Sequence, residues 1–228
     1  LLASLTKGSY IRVMKISYAI LTHNEGEYIN KLLSFLVNNK RPGDEIVVVD
    51  DHSGDKATVE YLNEYKPHIK LFYRTFDGDH TQKNYLNSLC TGDYILQLDA
   101  DELISQELIE VLPEFLESNN ETDLFIMPRI NTVEGLTPEY IAKWRWNVNE
   151  AGWVNFPDWQ MRLYRNCEWV KWEGLLHSKI EGFKTYVYLP AEEAFCILHP
   201  KQLDRQVKQN DLYDKIEATG RQKYKIET

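Results

Sequence analysis

From Lys15 to Leu98 the chain alternates short, wholly apolar runs with segments whose apolar residues recur every three to four positions. Lys15 to Leu21 predicts a strand that stops at Thr22-His23-Asn24, and Glu45 to Val49 a second that stops at Asp50-Asp51. Between them Tyr28, Leu32, Phe35 and Leu36 mark one helical face, with Ile29, Leu33 and Val37 beside it; Pro42-Gly43 punctuates. The pattern then predicts a short helix through Val59, Leu62 and Tyr65 capped by Ser53, and a strand over Ile69 to Tyr73. A helix over His80 to Cys90 and a strand over Asp93 to Leu98 follow. Ser105 opens an amphipathic helix carrying Leu108, Ile109, Leu112, Phe115 and Leu116, and Asp123 to Met127 predicts a fifth strand. Strands of buried length separated by helices imply an α/β fold with a mostly parallel sheet covered on both faces.

That rhythm is lost in the second half. All six tryptophans, from Trp144 to Trp172, crowd into one irregular stretch. Strand-like pieces are expected at Met161 to Tyr164, Tyr186 to Leu189 and Ala194 to Leu198, and a polar helix from Lys201 to Glu217. No repeat or linker interrupts the chain, so residues 14–228 are expected to form one domain with a 14–130 half and a 131–228 half. Residues 1–13 precede Met14, which resembles a natural start, and are expected to be an extraneous or disordered leader.

Composition narrows the classes. At 228 residues the chain can bury roughly 70% of its unfolded surface, enough for a core without staples. No apolar run nears the roughly 18–20 residues that cross a bilayer, so a soluble protein is expected. With 35 acidic and 26 basic residues the formal charge is −9, which disfavours strong nucleic-acid binding. Cys90, Cys167 and Cys196 lack metal or disulfide spacing, predicting reduced thiols and a cytoplasmic setting.

In an open α/β sheet, ligands bind beyond the carboxyl ends of the strands. Two predicted ends carry clustered acids: Asp50-Asp51-His52-Ser53, and Asp99-Ala100-Asp101-Glu102. Two Asp at i and i+2 just past a strand address one side, where Mg²⁺ or Mn²⁺ could be shared with the oxygens of a substrate diphosphate. The plainer alternative is a solvated acidic turn that caps the next helix through Glu102 and Ser105.

The segments ISYAILTHNEGEYI, IVVVDDHSGDKAT and QKNYLNSLCTGDYILQLDADE, in that order, resemble the nucleotide-binding half of family 2 glycosyltransferases with the GT-A fold. PDWQMRLYR and a histidine in WEGLLHSKI extend the resemblance more loosely, toward the branch acting on lipopolysaccharide cores and related surface glycans. The resemblance implies a Rossmann-like sheet with an irregular, aromatic-rich acceptor half, and inverting transfer of a sugar from a nucleoside diphosphate, with a UDP-sugar favoured, to a hydroxyl acceptor. It implies that Thr22 lies along base and ribose, that Asp50 or Asp51 reads the base, and that Lys83 reaches the donor phosphates. Asp99 corresponds to the ribose-side acid and Asp101 to the metal ligand, with Mn²⁺ or Mg²⁺ bound and His177 completing the metal shell ahead of His199.

An inverting transfer also needs a general base. Asp158 matches the family's acceptor-side carboxylate, although Pro157 replaces the acid that usually precedes it; Glu173 is the reserve. Trp153 and Trp159, flanking Asp158, are expected to line the acceptor cleft, and Arg129 to Asn155 to form an acceptor loop or lid. The closing helix, with Lys201, Arg205 and Lys208, is expected to be a solvated face that leaves room for a peripheral membrane contact. Three alternatives stand beside this reading. They are a nucleotidyltransferase, a non-catalytic glycan- or nucleotide-binding module, and a transferase acting on a modified DNA base. THNEGEY lacks the Gly-rich basic loop of the first.

Overall fold

The computed structural model describes residues 14–174, 178–204 and 207. The runs that are apolar on both faces become four parallel strands: β1 (Ile16–Thr22), β2 (Glu45–Asp50), β3 (Lys70–Tyr73) and β4 (Tyr94–Asp99). The helices α1 (Glu27–Asn39), α2 (Lys56–Tyr65) and α4 (Gln106–Ser118) bury Ile29, Leu33, Leu62, Leu108 and Leu112 against one face. On the other face α3 (Asp79–Leu89) packs Leu86 over Ala19, Val47 and Ile95. Ser105 caps α4 as expected, accepting from the Leu108 amide at 2.9 Å. Asp55, not Ser53, caps α2, because the Ser53 hydroxyl turns back onto Asp50.

The second half continues the same sheet. β5 (Leu124–Glu134) and β6 (Val154–Arg165) are long; they are followed by the short strands β7 (Lys171–Glu173), β8 (Lys179–Glu181) and β9 (Tyr186–Tyr188), and by β10 (Ile197–Gln202). The main sheet runs β10-β5-β6-β4-β1-β2-β3, with β9 on the first residues of β5. β6 lies antiparallel to β4 and β5, whereas β10 is parallel to β5. The amino end of β6 and the carboxyl ends of β4, β5 and β10 therefore meet at one edge. β7 and β8 form a separate pair clamped to α3, where Asn84 exchanges hydrogen bonds of 2.8 and 2.9 Å with the Trp172 backbone.

Several expectations change. The stretch from Arg129 to Asn155 is not one long loop: β5 runs to Glu134 and α5 (Pro138–Trp144) follows. Lys201 belongs to strand β10 and not to a helix; apart from Leu203, Asp204 and Val207, the rest of the expected closing helix, with Arg205 and Lys208, lies outside the described residues, as does the 1–13 leader. No helix among the described residues is long and apolar enough to cross a membrane.

At the opposite edge Glu45 ties three elements together, accepting from Ser17 Oγ at 2.6 Å, from Thr91 Oγ1 at 2.9 Å and from Lys70. Burial pushes this carboxyl up, but the hydrogen bonds from Lys70, Ser17 and Thr91 outweigh it and bring it from 4.5 to about 2. The unfolded chain therefore takes up this proton first. The contribution is complete above about 4.5 and is lost as pH falls toward about 2. Glu45→Gln is expected to remove about 2 kcal/mol at neutral pH and to flatten that acid limb in urea unfolding. An unchanged limb would assign the acid sensitivity to other carboxylates.

Candidate active site

Where β1 and β2 end, backbone and side chains are cross-tied. Asp51 N donates to the Thr22 carbonyl at 3.0 Å, and Asn24 Oδ1 accepts from the Gly54 and Asp55 amides, each at 2.8 Å. The Thr22 hydroxyl is buried without a hydrogen-bond partner. Asp50 is buried, and its carboxylate accepts from the Ser53 amide at 2.9 Å and from the Ser53 hydroxyl. Asp51 accepts from the Phe76 amide at 2.8 Å through one oxygen, with the other 3.7 Å from His23 Nδ1, and its side chain stays 25% exposed. The pair is thus divided: Asp50 braces the turn, and Asp51 keeps partial access to solvent.

Beyond β4 the polar groups form a closed circuit. Arg162 grips both oxygens of Asp99 and also donates to Glu102 Oε1 at 3.0 Å. Glu102, fully buried, accepts from Arg129 at 2.7 Å and from the Asp99 amide at 3.0 Å. It is not the helix-capping residue of an acidic turn. Arg129 donates twice to Asp158 Oδ2, at 2.9 and 2.7 Å, and Asn131 donates to the same oxygen at 2.8 Å. Asn131 Oδ1 lies 2.8 Å from His199 Nδ1, and His199 Nε2 lies 3.4 Å from Asp101 Oδ2. The circuit so returns to the second acid of the Asp99-Ala100-Asp101 motif.

Sheet register builds this circuit. Arg129 pairs with Asp158 across β5 and β6, and Asn131 pairs with His199 across β5 and β10. The register slips between Phe125/Leu163 and Ile126/Met161, leaving Arg162 as the extra residue of a bulge that turns its side chain to Asp99. Burial pushes the Asp99 carboxyl up, but the Arg162 guanidinium overrides it and holds Asp99 far below the usual range. Burial likewise raises Asp158, and Arg129, Asn131 and Gln160 bring it below its ordinary value. Sequence reasoning missed Arg129, Arg162 and Asn131. The available signal was an arginine inside the apolar run MRLY, since a charge in a buried strand must be paired.

The other expected site residues are more scattered. The Lys83 ammonium is 2.9 Å from Asp79, 3.2 Å from Ser178 Oγ and 4.2 Å above the Trp172 ring, and its charge is felt at Asp99. Glu173 is exposed on β7, in a different sheet from Asp158. His177 lies outside the described residues. Trp159 projects from the opposite face of β6 to Asp158 and packs edge-on against Tyr188 at 4.8 Å, while Trp153 packs on Phe156. The tryptophan that does face this region is Trp146, which lines a cavity of about 160 Å³ together with Arg129, Asn131 and Asn155. A larger cleft of about 650 Å³ lies beside Asp101, bounded by Tyr28, Lys31, Thr132, Glu134 and Lys201.

The donor set at Asp101 fits a divalent cation that keeps other positions for substrate oxygens. Among the described residues no three His, Cys, Asp or Glu side chains converge, but His199 and Asp101 offer one nitrogen and one oxygen 3.4 Å apart. Two adjacent donors about 2.1 Å from one ion stand about 3 Å apart. A mixed imidazole and carboxylate pair suits Mn²⁺ better than Mg²⁺. Asp99 is fastened by Arg162, so it is not part of that pair.

Comparison with known proteins agrees with this architecture. The family model described as "Glycosyl transferase family 2" matches residues 17–199. An uncharacterised glycosyltransferase of Rickettsia bellii is 32% identical over 115 residues, covering 50% of this chain and 36% of that protein. The poly(ribitol-phosphate) beta-glucosyltransferase of Bacillus spizizenii is 34% identical over 103 residues, which is 42% of this chain and 16% of that protein. The chain thus spans about a third or less of the length of these relatives. Among solved structures, S. aureus TarS 1–349 in complex with UDP-GlcNAc superposes with a TM-score of 0.60 at 20% identity, over 82% of this chain and 59% of that one. The expected α/β fold, a mostly parallel sheet with flanking helices, is thereby shared with that solved chain.

Proposed function

The chain belongs to glycosyl transferase family 2, and from that premise we propose that it transfers a sugar from a UDP-sugar to a hydroxyl acceptor, with inversion at the anomeric carbon. One observation carries the reading. The acids at the ends of β2 and β4 open on the same sheet edge as Asp158, and one hydrogen-bonded chain joins Asp99 through Asp158 to His199, whose Nε2 lies 3.4 Å from Asp101. Asp51, still accessible, reads the nucleobase, Thr22 lies along base and ribose, and Asp99 meets the ribose. Lys83 leaves Asp79 to meet the donor phosphates.

A divalent cation, when bound, would neutralise charge on the departing nucleoside diphosphate; Asp101 and His199 would hold it. The acceptor oxygen attacks the anomeric carbon as the bond from that carbon to the phosphate oxygen breaks. The electron pair leaves with the diphosphate, and the acceptor proton passes to Asp158. Asp158 Oδ2 is filled by Arg129 and Asn131, whereas Oδ1 accepts from Gln160 alone among the described residues, at 2.7 Å. Oδ1 is therefore the basic atom. The acceptor is a hydroxyl of a glycan or polyol phosphate, a class supported by the names of the poly(ribitol-phosphate) transferases among its relatives.

The test is thermal unfolding with UDP-, GDP-, dTDP- and CMP-sugars, each with Mn²⁺ and with chelator. UDP-sugars with Mn²⁺, at 100 times the dissociation constant, are expected to add about 2.7 kcal/mol of stability. A shift with another base alone would correct the donor, and no shift with any of them would favour the binding-module alternative.

A further inference from the structure

Asn131 has a polar neighbour on each side of β5. Toward β10 its Oδ1 lies 2.8 Å from His199 Nδ1, and toward β6 its Nδ2 donates to Asp158 Oδ2 at 2.8 Å. Chemistry fixes the direction of both contacts. An ionised carboxylate only accepts, so Asp158 takes the amide NH₂ and the amide oxygen faces His199. Arg129 and Gln160, which donate to the same carboxylate, keep Asp158 in that ionised form. His199 Nδ1 must then carry the ring hydrogen. In the neutral ring Nε2 presents a lone pair, and that is the nitrogen facing Asp101.

We infer that Asn131 is a positioning residue that sets His199 in the Nδ1–H tautomer and anchors Asp158 through the same amide. The cation side and the acceptor side of the cleft then share one brace. Without it, the other tautomer would donate Nε2–H to the Asp101 carboxylate and have no lone pair there for a cation. The consequence for cation binding rests on the glycosyl-transfer reading above; the tautomer does not.

Two variants of the full chain separate the two halves of the amide's role. Asn131→Ala removes both contacts. Asn131→Asp keeps an acceptor for Nδ1–H but sets a like charge against Asp158. Histidine ¹⁵N–¹H spectra without metal, at a pH where the rings are neutral, report the tautomer, with the His199 signals assigned by their loss in His199→Gln. The parent and Asn131→Asp are expected to show Nδ1–H, and Asn131→Ala to move toward Nε2–H. Mn²⁺ alone, titrated by electron paramagnetic resonance, is expected to bind 10- to 100-fold more weakly to Asn131→Ala. Asn131→Asp should bind Mn²⁺ at least as well as the parent while losing kcat.

Parent-like tautomer and Mn²⁺ affinity in Asn131→Ala would overturn the inference. If that variant fails to fold, a change of tautomer in Asn131→Asp overturns it instead. A parent chain that shows Nδ1–H but binds no Mn²⁺ would uphold the role of Asn131 and overturn the cation reading.

Discussion

Asp158→Asn is expected to lower kcat for sugar transfer by roughly 10²- to 10⁴-fold while donor affinity stays within a few-fold of the parent. The amide keeps the shape of the side chain but has no basic oxygen for the acceptor proton. Its effect belongs to the chemical step, since Asp158 stands on the acceptor side of the circuit. The pH profile gives a second reading. Burial raises the Asp158 carboxyl, but Arg129, Asn131 and Gln160 bring it below its ordinary 3.8. A base with a lowered pKa is already ionised at neutral pH, so turnover should stay level on the acid side and fall only below about 3.8. Parent-like kcat in Asp158→Asn, with a lowered melting temperature, would make Asp158 a structural partner of Arg129 and pass the proton to another group, with Glu173 the next to test.

Arg162→Met should destabilise the fold by about 3–5 kcal/mol, more than any substitution on the exposed helix faces. Arg162 is the shared counter-charge of Asp99 and Glu102, and Glu102 has no solvent access. Removing the guanidinium leaves two neighbouring carboxylates with Arg129 as the remaining cation of the circuit. Adding Glu102→Gln to Arg162→Met should therefore recover part of the loss, because one uncompensated buried charge disappears with it. Urea unfolding of the two single variants and the double variant checks both statements. A cost under about 1 kcal/mol for Arg162→Met would mean that water reaches the site and screens the acids.

The donor half was legible because β1, β2 and β4 are buried on both faces and read as continuous apolar runs, bounded by turn residues. β1, β2, β3 and β4 fall within a residue of their expected limits. The acceptor half was harder for a physical reason. β6 begins with residues that are half exposed, so PDWQ carries little strand signal, and only its buried end at Met161 to Tyr164 stood out. β10 continues through Pro200, Lys201 and Gln202, whose polarity resembles a helix start more than a sheet edge. The acids were found because they follow strands directly. Their partners were not, since the pairing of Arg129 with Asp158 and of Asn131 with His199 depends on register between strands distant in the chain. The same cause explains the preference for His177 over His199: sequence order does not tell which histidine a parallel strand brings beside Asp101.

β10 ends the sheet order: β5 pairs along its whole length, while on its other side it is tied among the described residues by the bridge of Leu198 to Leu103, two backbone hydrogen bonds of 2.8 Å. Edge strands open at lower free energy than central ones. The imidazole facing Asp101 thus rides on a segment that detaches more readily than β1 or β4, where most of the neighbouring acids are rooted. A cation bridging His199 and Asp101 would pin that segment down. Amide hydrogens of Ile197, Leu198, His199, Lys201 and Gln202 would then exchange more slowly, so that occupancy of the site is written into the lifetime of the outermost strand.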